Sequence, residues 1–377
     1  MSLPSPGPQR MVGHLGRWGT APLALLDEGA RLGPVFSLRL WRRALVGYSP
    51  DWNRLVLGDL ATFRSRGSMS GLSPYLAGGL VQTDAPAHRP RRQVLNPAFH
   101  RTALASLAPR IEATTLRRLP TGDFEAGAWA SELVRALLLD LMFGGAFPEP
   151  LLHSYLSPLD RSLPAPFVRR PRLFRRMDAA LALAFDEAPP DALLHAFAGI
   201  ERGVEEARIA VGAAYDTTAH TLAWVLWHLA DDAEWARPEL VGHLVDEALR
   251  LYPAGWVGSR VCAEPTSFGD LAIPARSMVL YSPYLTHRDP TLWPQPLIFN
   301  PARFSDPLPA WGFIPFSAGE RTCLGAHLAR LILRTVAALF AGGSLARVGE
   351  HPGLRAAVTL APAGPLRLRR RVPPCGT

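Results

Sequence analysis

Apolar residues recur at helical spacing through most of the chain. Over 129–144, Leu133, Val134, Leu137, Leu138, Leu141 and Met142 leave few polar positions, which predicts a core helix closed by Gly144 and Gly145. A long helix is expected over about 191–230. Another should follow Cys323, where Leu324, Leu328, Leu331, Ile332 and Leu339 fall at helical spacing. Period-two runs are short. Segments 35–40 and 44–46, separated by Trp41, Arg42 and Arg43, predict a hairpin, and 278–285 is β-prone. Segments 355–360 and 366–371 predict a second hairpin whose turn, 361–365, would dip into a pocket. Residues 67–83, rich in Gly and Ser, read as an irregular loop. The fold class is mainly α with a small β domain.

Composition narrows this picture. With 377 residues and 48% hydrophobic content, the chain can bury one large core or two ordinary ones. Pro and Gly are spread along it without a linker or repeat, so a single domain over 1–377 is expected. Cys262, Cys323 and Cys375 give neither a disulfide framework nor a zinc spacing, and cluster ligation is excluded by the same spacing. A cytoplasmic setting fits. Segment 1–10 is Pro-rich without an apolar core of signal length, and no later run is apolar enough to span a bilayer. The net charge is +8 and every one of the 40 basic residues is Arg. These arginines are scattered, so they reflect genome composition and not a nucleic-acid surface.

Chemistry concentrates in 316–325, Phe-Ser-Ala-Gly-Glu-Arg-Thr-Cys-Leu-Gly. Cys323 lies just before a helical pattern, where unpaired amides would lower a thiol pKa and favour a ligating anion. Alone, such a cysteine reads as a small buried apolar residue. Its setting changes that. Phe316, Gly319, Arg321, Cys323 and Gly325 match, position by position, a pattern that resembles the heme-binding loop of the cytochrome P-450 superfamily. The resemblance implies heme b with Cys323 as axial iron ligand, glycines where a Cβ would strike the macrocycle, and Arg321 on a propionate.

Four further segments are similar to the family's motifs, in the same order. Asp84, Pro86, His88, Arg92 and Phe99 match a helix in which His88 and Arg92 donate to a propionate; Pro90 departs from a regular helix there. Residues 213–218, Ala-Ala-Tyr-Asp-Thr-Thr, resemble the oxygen-activation motif. The resemblance implies that the Thr217 hydroxyl loosens the helix by bonding one turn back and holds dioxygen and a relay water, while Asp216 feeds protons from solvent. Ala214 stands where the family usually has Gly, which narrows the groove. Glu247 and Arg250, with Arg303 from 299–304, match a buried structural network. Arg260 is placed for the other propionate and His287 for a third partner nearby; a plain surface histidine remains open.

The implied activity is insertion of one oxygen atom from O2 into a C–H bond, with electrons from a separate ferredoxin and ferredoxin reductase. Arg91, Arg92, Arg330 and Arg334 are candidates for docking an acidic ferredoxin; a solvated surface is the alternative. Pocket candidates Leu72, Leu76, Leu80, Ala213, Ala214, Val257 and Leu360 suit a large apolar substrate. Segments 247–256 and 280–286 are similar to bacterial carotenoid-ring hydroxylases, so a carotenoid or other terpenoid comes first. A fatty acid is second, its carboxylate met by lid arginines among Arg161, Arg169, Arg170, Arg172, Arg175 and Arg176, which also leave peripheral membrane contact open. A peroxide-driven peroxygenase or a noncatalytic heme binder would not need Asp216 and Thr217.

Overall fold

The computed structural model describes residues 3–7, 13–161, 165–230, 235, 237, 239–340 and 344–371. Cys375 and most of the short linker 231–240 lie outside them. The elements that frame the site are β1 (Val35–Arg39), β2 (Arg43–Gly47), α1 (Pro50–Gly58), β3 (Phe63–Arg64), α2 (His88–Leu95), α3 (Ala126–Phe143), α4 (Pro171–Glu187), α5 (Gly203–Leu229), α6 (Val241–Leu251), β4 (Gly258–Cys262), β5 (Met278–Tyr281), α7 (Ala326–Ala338), β6 (Leu354–Ala356) and β7 (Leu360–Pro362).

Helix α5 is the centre of the helical part. It packs against α3, α4, α6 and α7 and buries residues on every side, as its nearly continuous run of Ala, Leu, Val and Trp requires. It begins at Gly203, twelve residues later than 191. Residues 193–197 form one 3-10 turn, and Gly199 and Arg202 take left-handed φ values of +73° and +60° that stop helix propagation. A Cβ at Gly203 would stand 2.2 Å from the Phe197 carbonyl oxygen, so the close turn demands glycine. Helix α3 is as expected at its end, where Gly144 caps it at φ +58°. Its start lies three residues earlier because the Glu125 carboxylate accepts from the Gly127 and Ala128 amides. In α2, Pro90 occupies the first turn, whose amides have no intrahelical acceptor, and the helix begins at His88 and continues to Leu95.

The five-stranded sheet has the order β1-β2-β5-β4-β3, with β2 and β5 parallel and the other neighbours antiparallel. The hairpin 35–46 forms as expected, but β5 stops at Tyr281 and a short helix, Pro283–Thr286, follows. The C-terminal hairpin differs in register. Leu354 pairs with Pro362 and the turn is 357–359, while Arg367–Arg370 joins Gly122–Glu125 and Leu345–Arg347 in a separate sheet. A period of two fixes which face a residue takes and leaves the partner strand open.

One buried network ties α6 to the cysteine loop. Glu247 accepts from Arg250 Nε at 2.6 Å and Nη2 at 2.8 Å, from Arg303 Nε at 3.1 Å and from the Asn300 amide at 2.8 Å. Arg250 Nη1 donates onward to the carbonyls of His287 and Pro296. His287 is therefore not near the propionate-side cations. It is fully buried, its Nδ1 facing the Arg250 carbonyl at 3.0 Å while Nε2 accepts the Ile314 amide at 2.9 Å. The pair of bonds fixes a neutral ring with the proton on Nδ1.

Burial pushes His287 down to about 3 and His228, against Tyr252 and Phe299, well below its ordinary value. Both are neutral when folded and free to protonate when unfolded. Their contribution is complete above about pH 6.5 and is lost on acidification, by up to about 1.4 kcal/mol per pH unit for each histidine. Asp216, discussed below, acts in the opposite sense because its pKa is raised. The urea midpoint should therefore be lower at pH 5 than at pH 7.5; equal midpoints would contradict the neutral assignment.

Candidate active site

The loop 316–325 closes on itself through the Cys323 amide, which donates to the Phe316 carbonyl at 2.8 Å. Arg330 of α7 lies over the Phe316 ring at 4.7 Å. Gly319 has φ +67°, and a Cβ there would meet the Leu57 carbonyl at 2.8 Å. Its glycine is thus demanded by backbone conformation and by contact with the end of α1. Gly325 has an ordinary φ of −83°, and a Cβ there would stand 4.0 Å from Cys323 Sγ. It lines the open space beside the sulfur.

That space is a chamber of about 460 Å³ between α5 and α7. Cys323 is exposed only toward it, with protein on the other sides. Burial raises the thiol pKa, against the Gly325 amide and Arg92, which favour the anion. The expected helix-terminus lowering is present but outweighed by desolvation. Ligation by a metal removes that proton outright.

Four donors converge on one rim. His88 and Arg92 come from α2, Arg260 from β4 and Arg321 from the loop, and all line the chamber. His88 Nδ1, Arg260 Nε and Arg321 Nε are buried without a partner. Desolvation takes Arg321 down to about 10 and His88 to about 4, with Arg260 pressing on both and Arg92 and Arg321 on His88. Arg321 also forks to the Thr83 carbonyl at 2.6 Å and to Asp84 at 3.0 Å, so it anchors 83–84 as well as facing the rim. Among the described residues Arg260 bonds only its neighbour's carbonyl, and it lies over Tyr281. A buried positive cluster with one carboxylate among several cations calls for an anionic ligand. His88, Arg92, Arg260 and Arg321 would hold the two propionates of a heme, and Cys323, which lines the same chamber, would hold its iron.

Thr217 lines the chamber from α5, and its hydroxyl donates to the Ala213 carbonyl at 2.8 Å, as expected. Ala213, Ala214, Leu80 and Val257 also line it. Leu72 does not: it is 52% exposed. Leu76 is half-buried outside the chamber, and Leu360 is buried in the core beside the sheet. Sequence reasoning placed α3 in the core, yet its Val134, Leu138 and Met142 form chamber wall, as do Phe197 and Ile209. Glu206 was also missed. It lines the chamber while accepting the Leu80 amide at 2.7 Å and facing Arg91 at 3.4 Å. Asp216 is absent from the lining; it points behind α5, where its Oδ2 accepts from the Thr359 hydroxyl at 3.0 Å. Burial raises Asp216 to about 7.

Residues 237–340, which contain the buried network and the cysteine loop, match the family model for cytochrome P450. The chain belongs to the cytochrome P450 superfamily. A cyclooctatin synthase of Streptomyces melanosporofaciens is 26% identical over 85% of this chain and 84% of its own length. A cyclooctat-9-en-7-ol 5-monooxygenase of the same species is 26% identical over 88% of each. In fold, the chain is similar to a six-coordinated cytochrome P450 of Thermus thermophilus, with TM-score 0.78, 24% identity and 93% and 98% of the two chains covered. A retinoic acid-bound cyanobacterial CYP120A1 gives TM-score 0.81 at 20% identity, covering 98% and 100%.

This P450 is therefore an oxidoreductase that incorporates oxygen from O2, binds heme b and takes electrons from redox partners. When bound, the heme supplies the iron chemistry that divides dioxygen and delivers one oxygen atom to a C–H bond. The protein's part would be a thiol to hold the iron, a cationic rim to hold the propionates and an apolar wall to exclude water. Among the described residues no helix is long and apolar enough to cross a membrane.

Proposed function

We propose that this P450 hydroxylates a ring-bearing terpenoid, either one ring end of a carotenoid or a smaller cyclic terpene, using electrons from a separate ferredoxin and its reductase. Cys323 serves as the iron ligand, His88, Arg92, Arg260 and Arg321 hold the propionates, and Thr217 with Asp216 delivers protons. The observation that carries the substrate class is the division of charge in the chamber. Its cations all sit on the propionate rim, the walls around Thr217 are apolar, and the acidic group lining it is Glu206. A fatty-acid carboxylate would meet no cation there. The lid residues Arg172, Arg175 and Arg176 are exposed on the outside of α4 and do not line the chamber. A relative named for a cyclic hydrocarbon alcohol supports the same class.

For the ferredoxin, α7 begins three residues after Cys323 and presents Arg330 and Arg334, both shared with Asp246. Arg91 leaves the candidate docking set, because it turns inward to Glu206 and the Glu201 carbonyl. One experiment covers both choices. The ferric holoprotein is titrated with a cyclic diterpene alcohol, a carotenoid and a fatty acid, and turnover is driven by reduced ferredoxin or by peroxide. A low-to-high-spin shift with the cyclic isoprenoids and ferredoxin-driven, salt-sensitive turnover is expected. A shift with the fatty acid alone would replace the substrate class, and turnover with peroxide alone would replace the donor.

A further inference from the structure

Asp216, the acid beside Thr217, does not itself line the chamber; its carboxylate reaches back to the Thr359 hydroxyl on the other side of α5. Asp216 and His220 lie one turn apart on the same face of α5, the face covered by the β6–β7 hairpin. Thr359, in the turn of that hairpin, bridges them. Its hydroxyl lies 3.0 Å from Asp216 Oδ2 and 3.0 Å from His220 Nδ1. All three side chains are buried and none lines the chamber. His220 keeps 9% exposure, while Asp216 keeps 3%, so the chain of groups runs from an outer histidine to an inner acid.

We propose that His220, Thr359 and Asp216 form a proton relay that recharges Asp216 through the β6–β7 turn, from behind α5. It rests on Asp216 and Thr217 being the proton-delivering pair. A threonine hydroxyl carries one proton and two lone pairs, so it can donate to one neighbour while accepting from the other. In the starting state His220 Nδ1–H donates to Thr359 Oγ, and Thr359 donates to the Asp216 carboxylate. A solvent proton then binds His220 Nε2. The Nδ1 proton passes to Thr359 Oγ, and the proton that Thr359 held passes to Asp216 Oδ2. One proton has entered and one has arrived; the histidine is neutral throughout except in passing, now with its proton on Nε2, and the hydroxyl has reversed its direction. No electrons move.

The surroundings favour this direction. Burial and the charge of Asp160, itself bonded by the Tyr215 hydroxyl at 2.7 Å, raise the proton affinity of Asp216. Burial and then Arg355 of β6 lower that of His220, to about 4. Ser131 and Arg135 face Asp160 from α3 and moderate its charge. A proton at His220 therefore moves inward.

The test compares Thr359→Val, Thr359→Ser, His220→Leu and Asp216→Asn in the holoenzyme with its electron donors. Product formed per reductant consumed should fall roughly tenfold or more in T359V and H220L, with a larger solvent deuterium isotope effect, and T359S should recover most of it. A second readout needs no turnover. The infrared carbonyl band of protonated Asp216 in the resting protein, assigned by its loss in D216N, should titrate at higher pH in T359V, because the carboxylate has lost a donor. If D216N uncouples while T359V and H220L do not and the band is unmoved, the relay is overturned and the acid's role stands. If D216N itself leaves coupling intact, both fall.

Discussion

Glu247→Gln should destabilise the protein by about 3–5 kcal/mol and lower its heme content. The substitution leaves Arg250, fully buried, and Arg303, 10% exposed in its side chain, without their shared carboxylate. Removing one partner of a buried ionic group costs in that range because the remaining charge stays desolvated. It is a large share of a total stability of roughly 5–15 kcal/mol. The loss propagates along a traceable line. Arg250 holds the His287 carbonyl, and His287 holds the Ile314 amide, two residues before the cysteine loop. Denaturant unfolding and heme absorbance on the purified variant measure both effects. Arg303→Gln removes only the outer partner and should cost less. Unchanged midpoint and heme content in Glu247→Gln would refute a scaffold role for the network.

Cys323→Ala should abolish turnover while leaving part of the heme affinity. The variant keeps the rim of His88, Arg92, Arg260 and Arg321, with the partnerless nitrogens of His88, Arg260 and Arg321 suited to an anion whatever happens at the sulfur. It removes the proposed iron ligand and opens a small void beside Gly325. The bound heme should then lack thiolate electron donation, with its carbon monoxide adduct absorbing at shorter wavelength. Stability of the apoprotein should change little, since the thiol already faces the chamber. Full turnover in the variant would mean that another residue ligates the iron.

How much of this was legible in the sequence depends on distance along the chain. The cysteine loop, the threonine that bonds back to Ala213, and the Glu247 and Arg250 pair are local patterns, and their geometry follows from helical spacing and loop length. Arg303, 56 positions from Glu247, came only through family resemblance. Pocket membership was poorly legible. Leu72 and Leu80 are alike in sequence, but one faces solvent and the other the chamber, because the short helix carrying Leu80 is pinned to Glu206 across 126 positions. His287 reads equally as a surface, heme or core histidine until the Ile314 amide is placed beside it. The contact between Thr359 and His220, 139 positions apart, depends on a hairpin register that alternation cannot set.

The absorption spectrum of the purified, heme-loaded protein, reduced under carbon monoxide, tests Cys323 ligation most directly. A thiolate opposite carbon monoxide gives the far-red-shifted Soret band that names the superfamily, and this band should be present in the native protein and absent in Cys323→Ala. A native spectrum with only the shorter-wavelength band in fully loaded protein, or a shifted band that survives Cys323→Ala, would contradict the assignment of Cys323 as the iron ligand.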